Sequence, residues 1–295
     1  MCLRVISLFT IVMFAFKVHS HPTGNLIVVN DYVLWSYINP VQDKDHHACI
    51  MIWKEGTEPR PLITSKFPAS DFMAYAKSRT VYLIERKYIQ ENDTFEARVL
   101  KGSLDGEFEE IWPWFKDEWR IGEGGFAMPS DDEIVFCSYP DILRLKKGKA
   151  PKPFLEFGRE VKRARFLTDG NILLLADDRC WLTDDQGNVF KEWKNLIDEN
   201  VDEPPLGRNQ IFDVDYSDGK LLVAYWGKRC FYSIDENGNR EIVWQLDDPD
   251  TPHWVAFRGN ERLLFASKLI FDGSMPRPRL VSVNDKETKP VWITD

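Results

Sequence analysis

Residues 164–193 read "ARFLTDGNILLLADDRCWLTDDQGNVFKEW", and residues 212–246 read "FDVDYSDGKLLVAYWGKRCFYSIDENGNREIVWQL". The two stretches share one layout. An apolar run meets an Asp-Gly turn, and a longer apolar run follows. After a polar break come a third run, a second Asp/Gly turn and a last run ending near Trp. Asp-Gly between apolar runs signals a tight hairpin, because glycine accepts the positive φ that such a turn requires. Each stretch therefore predicts a meander of antiparallel strands, four to a sheet.

The same layout fits residues 25–63, 72–112, 125–157 and 253–293. The first hairpin turns fall near Asp31, Ser78, Asp132, Gly170, Gly219 and Asn260. They recur about every 46 residues, the period of a propeller blade. One blade cannot bury both faces of its sheet, whereas blades packed face to face around an axis can. The prediction is an all-β fold: a six-bladed β-propeller of four-stranded antiparallel blades, forming a single domain over 21–295. The blades should span roughly 21–65, 66–114, 115–158, 159–200, 201–247 and 248–295. No long segment carries a 3.6-residue period, so helix should be limited to a single turn within 195–200.

Residues 1–20, "MCLRVISLFTIVMFAFKVHS", stand apart from this pattern. Arg4 gives a positive start, and the apolar run at 5–16 is too short to span a bilayer. Val18 and Ser20 are small enough for a cleavage site, so the segment reads as a secretory signal peptide cut before His21. No later stretch is apolar enough for a membrane span. Cleavage removes Arg4 and Lys17, one positive charge each, and takes the formal net charge from −9 to −11. So acidic a chain is a poor nucleic-acid binder, since phosphate contacts need a basic face. Cys49, Cys137, Cys180 and Cys230 would remain, enough for two disulfides in three connectivities. Cys180 and Cys230 hold equivalent places in neighbouring blades, too far apart to bridge one another. Asn92-Asp93-Thr94 is an N-glycosylation sequon in an expected exposed loop.

"TDDQGNVF" (183–190) matches the Asp-box pattern Ser/Thr-x-Asp-x-Gly-x-x-aromatic. "SIDENGN" (233–239) and "SLDGEF" (103–108) are related turns between third and fourth strands. The carboxylates of Asp185 and Asp235 should accept hydrogen bonds from their own turns' amides and hold the hairpins. These turns lie on the face opposite the usual ligand side. Function in a propeller more often sits where the links between blades gather around the channel mouth. Those links read "KDEWRIGEGG", "GREVKRAR", "DEPPLGRNQIFD" and "DDPDTPHWVA". They supply the candidate ligand-binding residues Arg120, Glu123, Arg163, Arg208, Asn209, Asp213, Asp250, His253 and Trp254. The arginines could hold an anionic or polar group, and Trp254 could stack on a flat one. Asp45-His46-His47 has metal-ligand residue types but no third ligand nearby, and reads as a solvated loop.

Residues 121–145, "IGEGGFAMPSDDEIVFCSYPDILRL", resemble the start of the gluconolactonase/regucalcin family. That resemblance implies a six-bladed propeller with a divalent metal at the channel. Glu123 stands where the family's first calcium ligand opens a blade. Asn209 and Asp213 stand for its later Asn and Asp, although the family's Pro-Asn-Gly context is absent. Oxygen ligands of this kind would hold calcium. The Asp box also resembles that of sialidases, whose arginine triad would correspond to Arg120, Arg163 and Arg208. "WRIG" lacks that family's Pro, and no Tyr/Glu nucleophile pair is evident. No Ser-His-Asp or Cys-His motif is visible either. The favoured reading is thus a secreted, monomeric binding propeller with a small molecule or protein partner at the channel mouth. The alternative is a metal-dependent lactonase-like hydrolase.

Overall fold

The computed structural model describes residues 24–38, 47–68, 70–268, 278–284 and 287–293. The expected leader at 1–20, the start at His21, and Asp45 and His46 lie outside the described residues. The described strands form six sheets of four, and each sheet is an antiparallel meander of consecutive strands. Blade 1 lies within 26–68, blade 2 within 70–116 and blade 3 within 126–155. Blade 4 lies within 163–193, blade 5 within 211–245 and blade 6 within 250–293. The first strands of the blades are Leu26–Val29, Ser70–Lys77, Phe126–Ser130, Arg163–Phe166, Ile211–Ser217 and Asp250–Arg258. Each of these lies beside the next, and the last lies beside the first, so they line the axis of a closed ring.

The continuous apolar runs follow from this arrangement. Successive side chains on a strand point to opposite faces, and here both faces are covered. Leu221 and Val223 enter the seam between blades 4 and 5, while Leu222 and Ala224 enter the seam between blades 5 and 6. Among the described residues, each of the six seams holds its own cluster of buried apolar side chains. The seam between blades 6 and 1 contains Trp35, Trp254 and Phe265. The rings of Trp254 and Phe265 lie 4.5 Å apart. Gly24 passes so close that an added Cβ would stand 2.9 Å from Cζ2 of Trp254. Trp254 is fully buried there. The expectation that it stacks on a ligand at the mouth is therefore corrected: its ring faces a neighbouring sheet, not solvent.

All four described cysteines are buried and free, Cys180 and Cys230 included. They serve the seams as small apolar side chains, and burial pushes the Cys137 thiol up to about 12. The helical turn also falls elsewhere than expected. Residues 195–200 form no helix, and the only described helical turn is the 3-10 turn Pro205–Gly207. Prolines open that turn, since their missing N–H groups would be unpaired there anyway.

The turns between third and fourth strands show a second correction. Asp184, not Asp185, caps its turn, accepting from the backbone N–H groups of Gln186 (2.9 Å) and Asn188 (2.8 Å). Asp235 does the same with Asn237 (2.9 Å) and Asn239 (2.8 Å). The shared frame is thus Asp-x-x-Gly-Asn, and each Asn side chain donates back to its Asp. "SLDGEF" is built differently, with Gly106 at φ 97° and the Ser103 hydroxyl accepting from the Asp105 N–H. The Asn239 side chain and the turn amides hold the Asp235 carboxyl below its ordinary value, and those of Asn188 do the same for Asp184.

Two outcomes are expected. Trp254→Ala should lower the unfolding free energy by about 3–5 kcal/mol in chemical denaturation, the usual cost of removing a buried Trp. Asp184→Ala and Asp235→Ala should each lower the melting midpoint at neutral pH, with Asp185→Ala close to neutral. A lowered folded pKa contributes stability above the unfolded carboxylate value, and that stability is lost as pH falls through the folded value. The midpoint differences should therefore narrow on acidification below roughly pH 4.

Candidate functional site

The beginnings of the first strands and the links between blades share one face of the ring. At its centre the channel is occupied by charged side chains. Arg163 and Arg165 alternate along the first strand of blade 4, and Asp213 and Asp215 alternate along that of blade 5. A spacing of two places each pair on one side of its strand. Arg165 donates from Nε to Asp215 at 2.8 Å and from Nη1 to Asp213 at 3.2 Å. Its Nη2 crosses the channel to the Leu26 carbonyl of blade 1, at 3.0 Å. Asp213 also accepts the Val255 N–H at 3.1 Å, and Asp215 the Phe257 N–H at 2.7 Å, which ties blade 5 to blade 6. Burial raises the Asp215 carboxyl, and the neighbouring Arg165 opposes that shift.

The nine residues expected from the links do not form one ring. Arg163 and Asp213 do meet, at 3.8 Å, with Arg163 also lying over the Phe212 ring. His253 is buried among Phe212, Trp226, Trp254 and Phe265, with its Nε2 3.3 Å from the Thr251 hydroxyl. Asp250 pairs with Arg279, and its carbonyl accepts from Arg229 at 3.0 Å. Arg208 is exposed at the end of the 3-10 turn. Asn209 is held at both ends: its amide donates to the Asp198 carbonyl, and its oxygen accepts from the Tyr225 hydroxyl, both at 2.7 Å.

Glu123 and Arg120 belong to a second group, away from the axis. The Glu123 carboxylate accepts from Arg86 at 2.7 Å, and Arg120 stands 3.7 Å from its other oxygen. Arg86, on the second strand of blade 2, is buried beneath them and faces Asp71 at 3.7 Å and Asp117 at 4.0 Å. Asp117 accepts the Ile121 N–H at 3.0 Å and so shapes the link. Burial raises its carboxyl, with those backbone bonds and Arg86 working against the shift. The Gly124-Gly125 pair has a steric cause. A Cβ on Gly125 would stand 2.0 Å from the Ala164 carbonyl oxygen, because the link runs against blade 4. The Ala164 N–H donates to the Gly124 carbonyl at 2.6 Å.

Above this link opens a cleft of about 300 Å³, lined by Trp119, Arg120, Glu123, Gly124, Cys137, Ser138, Tyr139 and Lys162. Tyr139 is 58% exposed, and its hydroxyl donates to Glu160 at 2.9 Å. The Ser138 hydroxyl donates to the Trp119 carbonyl at 3.0 Å, which holds the cleft's two walls together. Asn92 is exposed at the tip of blade 2's long second hairpin, on the same face.

Glu123, Asn209 and Asp213, the oxygen set that the resemblance implied for calcium, do not fit a shared cation. Each already faces protein donors, two of them guanidinium groups, and Asn209 is fixed by Tyr225 and Asp198. Among the described residues no cluster of three or more His, Cys, Asp or Glu side chains could hold a metal. The sialidase-like trio also stays apart in its partners, Arg120 at Glu123, Arg163 at Asp213 and Arg208 on the 3-10 turn.

No family model matches the chain, and no curated protein matches it either. Solved structures do match in fold. An arabinofuranosidase from Fusarium graminearum aligns with a TM-score of 0.56 at 8% identity, covering 88% of this chain and 92% of that one. A virginiamycin B lyase from Staphylococcus aureus aligns at 0.47 and 12% identity, over 83% and 92% of the two chains. A chain of a nidogen/laminin complex aligns at 0.48 and 14% identity, over 90% and 92%. At such identities the likeness concerns the propeller fold alone.

Calcium added at millimolar concentration is expected to leave the melting midpoint unchanged, in wild type and in Glu123→Gln alike. A calcium-dependent rise that Glu123→Gln abolished would instead show that Glu123 exchanges Arg86 for the ion.

Proposed function

We propose that this chain is a secreted, monomeric binding propeller that holds a small molecule or the end of a partner chain on its link face, off the axis. The observation that carries this reading is the contrast between the channel and the cleft. In the channel, the donors and acceptors of Arg165, Asp213 and Asp215 are taken up by one another and by backbone groups, and they bridge four blades. In the cleft, Trp119 and Tyr139 offer aromatic surface beside the partly exposed cations Arg120 and Lys162. A concave site with aromatic surface and a few convergent polar groups is the usual form of a small-ligand pocket. The leader-like start and the sequon at Asn92 support an extracellular setting. Among the described residues no helix is long and apolar enough to cross a membrane.

A fragment screen read by NMR on deuterated protein tests this. Binding fragments should shift the Trp119 indole and the amides of Arg120, Glu123, Gly124, Ser138 and Tyr139. Shifts confined to the turns at Asp184 and Asp235, or centred on Arg165, would place the site elsewhere and overturn the reading.

A further inference from the structure

Building on that reading, we propose that the cleft recognises a carboxylate carried on a flat or aromatic body. The charge arrangement carries the argument. The chain as a whole has a formal net charge of −9, yet the rim of the cleft presents Arg120 and Lys162. Glu123, the acid that also lines the cleft, is claimed from below. It accepts a 2.7 Å hydrogen bond from Arg86, whose side chain is only 5% exposed. The guanidinium is buried and the Glu123 carboxylate is 31% exposed, so the charge-assisted hydrogen bond anchors the acid from below. Arg120 stands 3.7 Å from Glu123, beyond hydrogen-bond reach, with its side chain 66% exposed. Its planar fork of N–H donors is therefore available to a second carboxylate, the geometry that guanidinium groups bind bidentately.

Lys162 pairs with Asp177, whose side chain is 68% exposed. Exposed pairs hold weakly and exchange readily for a better-placed anion. The body of the ligand follows from the walls. Tyr139 is largely exposed and Trp119 half-buried, so both offer apolar ring surface to a flat group. The volume, about 300 Å³, is at the small end of ligand pockets. Two cations, one beside Glu123 and one beside Asp177, match a single carboxylate in charge better than a doubly charged phosphate. A free arylalkanoic acid and the C-terminus of a peptide ending in an aromatic residue share this chemistry.

Isothermal titration with four probes decides the matter: phenylacetate, phenylacetamide, a tetrapeptide ending in Phe with a free C-terminus, and the same peptide amidated. At least one acid should bind, and its amide should bind roughly tenfold more weakly or worse. Arg120→Gln and Lys162→Gln should each weaken the acid and leave the amide unchanged. Both side chains are exposed, so melting midpoints should match wild type. Binding of phenylacetate alone would assign a free acid, and binding of the peptide alone a chain end; either supports the proposal. An amide that binds as well as its acid, or an Arg120→Gln variant with undiminished acid affinity, would overturn it. With fragment shifts still mapping to the cleft, the binding reading would survive that result. No binding by any of the four would also overturn it.

Discussion

The fold depends on one seam more than on the others, the contact between blades 6 and 1. Each sheet is made of four consecutive described strands, so among the described residues no strand from one end of the chain completes a sheet at the other end. The ring closes through side chains: Trp35 and Trp254 at its centre, Phe265 against Trp254, and Trp292 against Trp35 and Tyr37. Such closure forms between residues far apart in sequence, and its loop entropy must be offset by burying large aromatic surface. That is a physical reason for the largest side chains to stand here and for Gly24 to let the chain lie on the Trp254 ring.

Around the axis the problem is different. Neighbouring first strands belong to separate sheets and share few main-chain hydrogen bonds, so side chains take over that role. Asn25 bonds both backbone groups of Ala74, at 2.6 and 3.0 Å, while Asp213 and Asp215 accept from blade 6. Arg165 completes the network by reaching across to blade 1. A channel stitched in this way has its polar groups spent on the fold. Sites with groups to spare move outward to the links, where Asp117 and the two glycines shape a loop over the buried Arg86.

Much of this architecture was legible in the sequence. Hairpin turns at a steady spacing announced the blades; the Asp-Gly pairs at 169–170 and 218–219 set the pattern, because glycine accepts the positive φ of a tight turn. The site was less legible, because links that gather on one face need not converge on one point. Trp254 looked like a stacking platform and is a seam residue; Asn209 looked like a ligand and is a brace for Tyr225. The axial network did carry a signal, since "RAR" and "DVD" place like charges two apart on the first strands of adjacent blades. Arg86, by contrast, sits inside an ordinary strand run, and its burial under Glu123 depends on how blades 2 and 3 meet, which no local pattern records. Asp235 caps its turn as expected, whereas in the other turn the capping carboxylate is Asp184, one residue before the expected Asp185, for a related reason. The Asn that closes the turn, not the Gly alone, selects which Asp caps it.

The central claim is that the working site lies in the off-axis cleft and not in the channel. A crystal structure of the protein purified from its own source, with whatever small molecule it carries, tests this most directly. The expected result is bound density between Arg120, Tyr139 and Lys162, with Arg86 still holding Glu123 and Arg165 still reaching the Leu26 carbonyl. Density on the axis, with Arg165 withdrawn from that carbonyl and Asp213 turned toward the bound group, would contradict it.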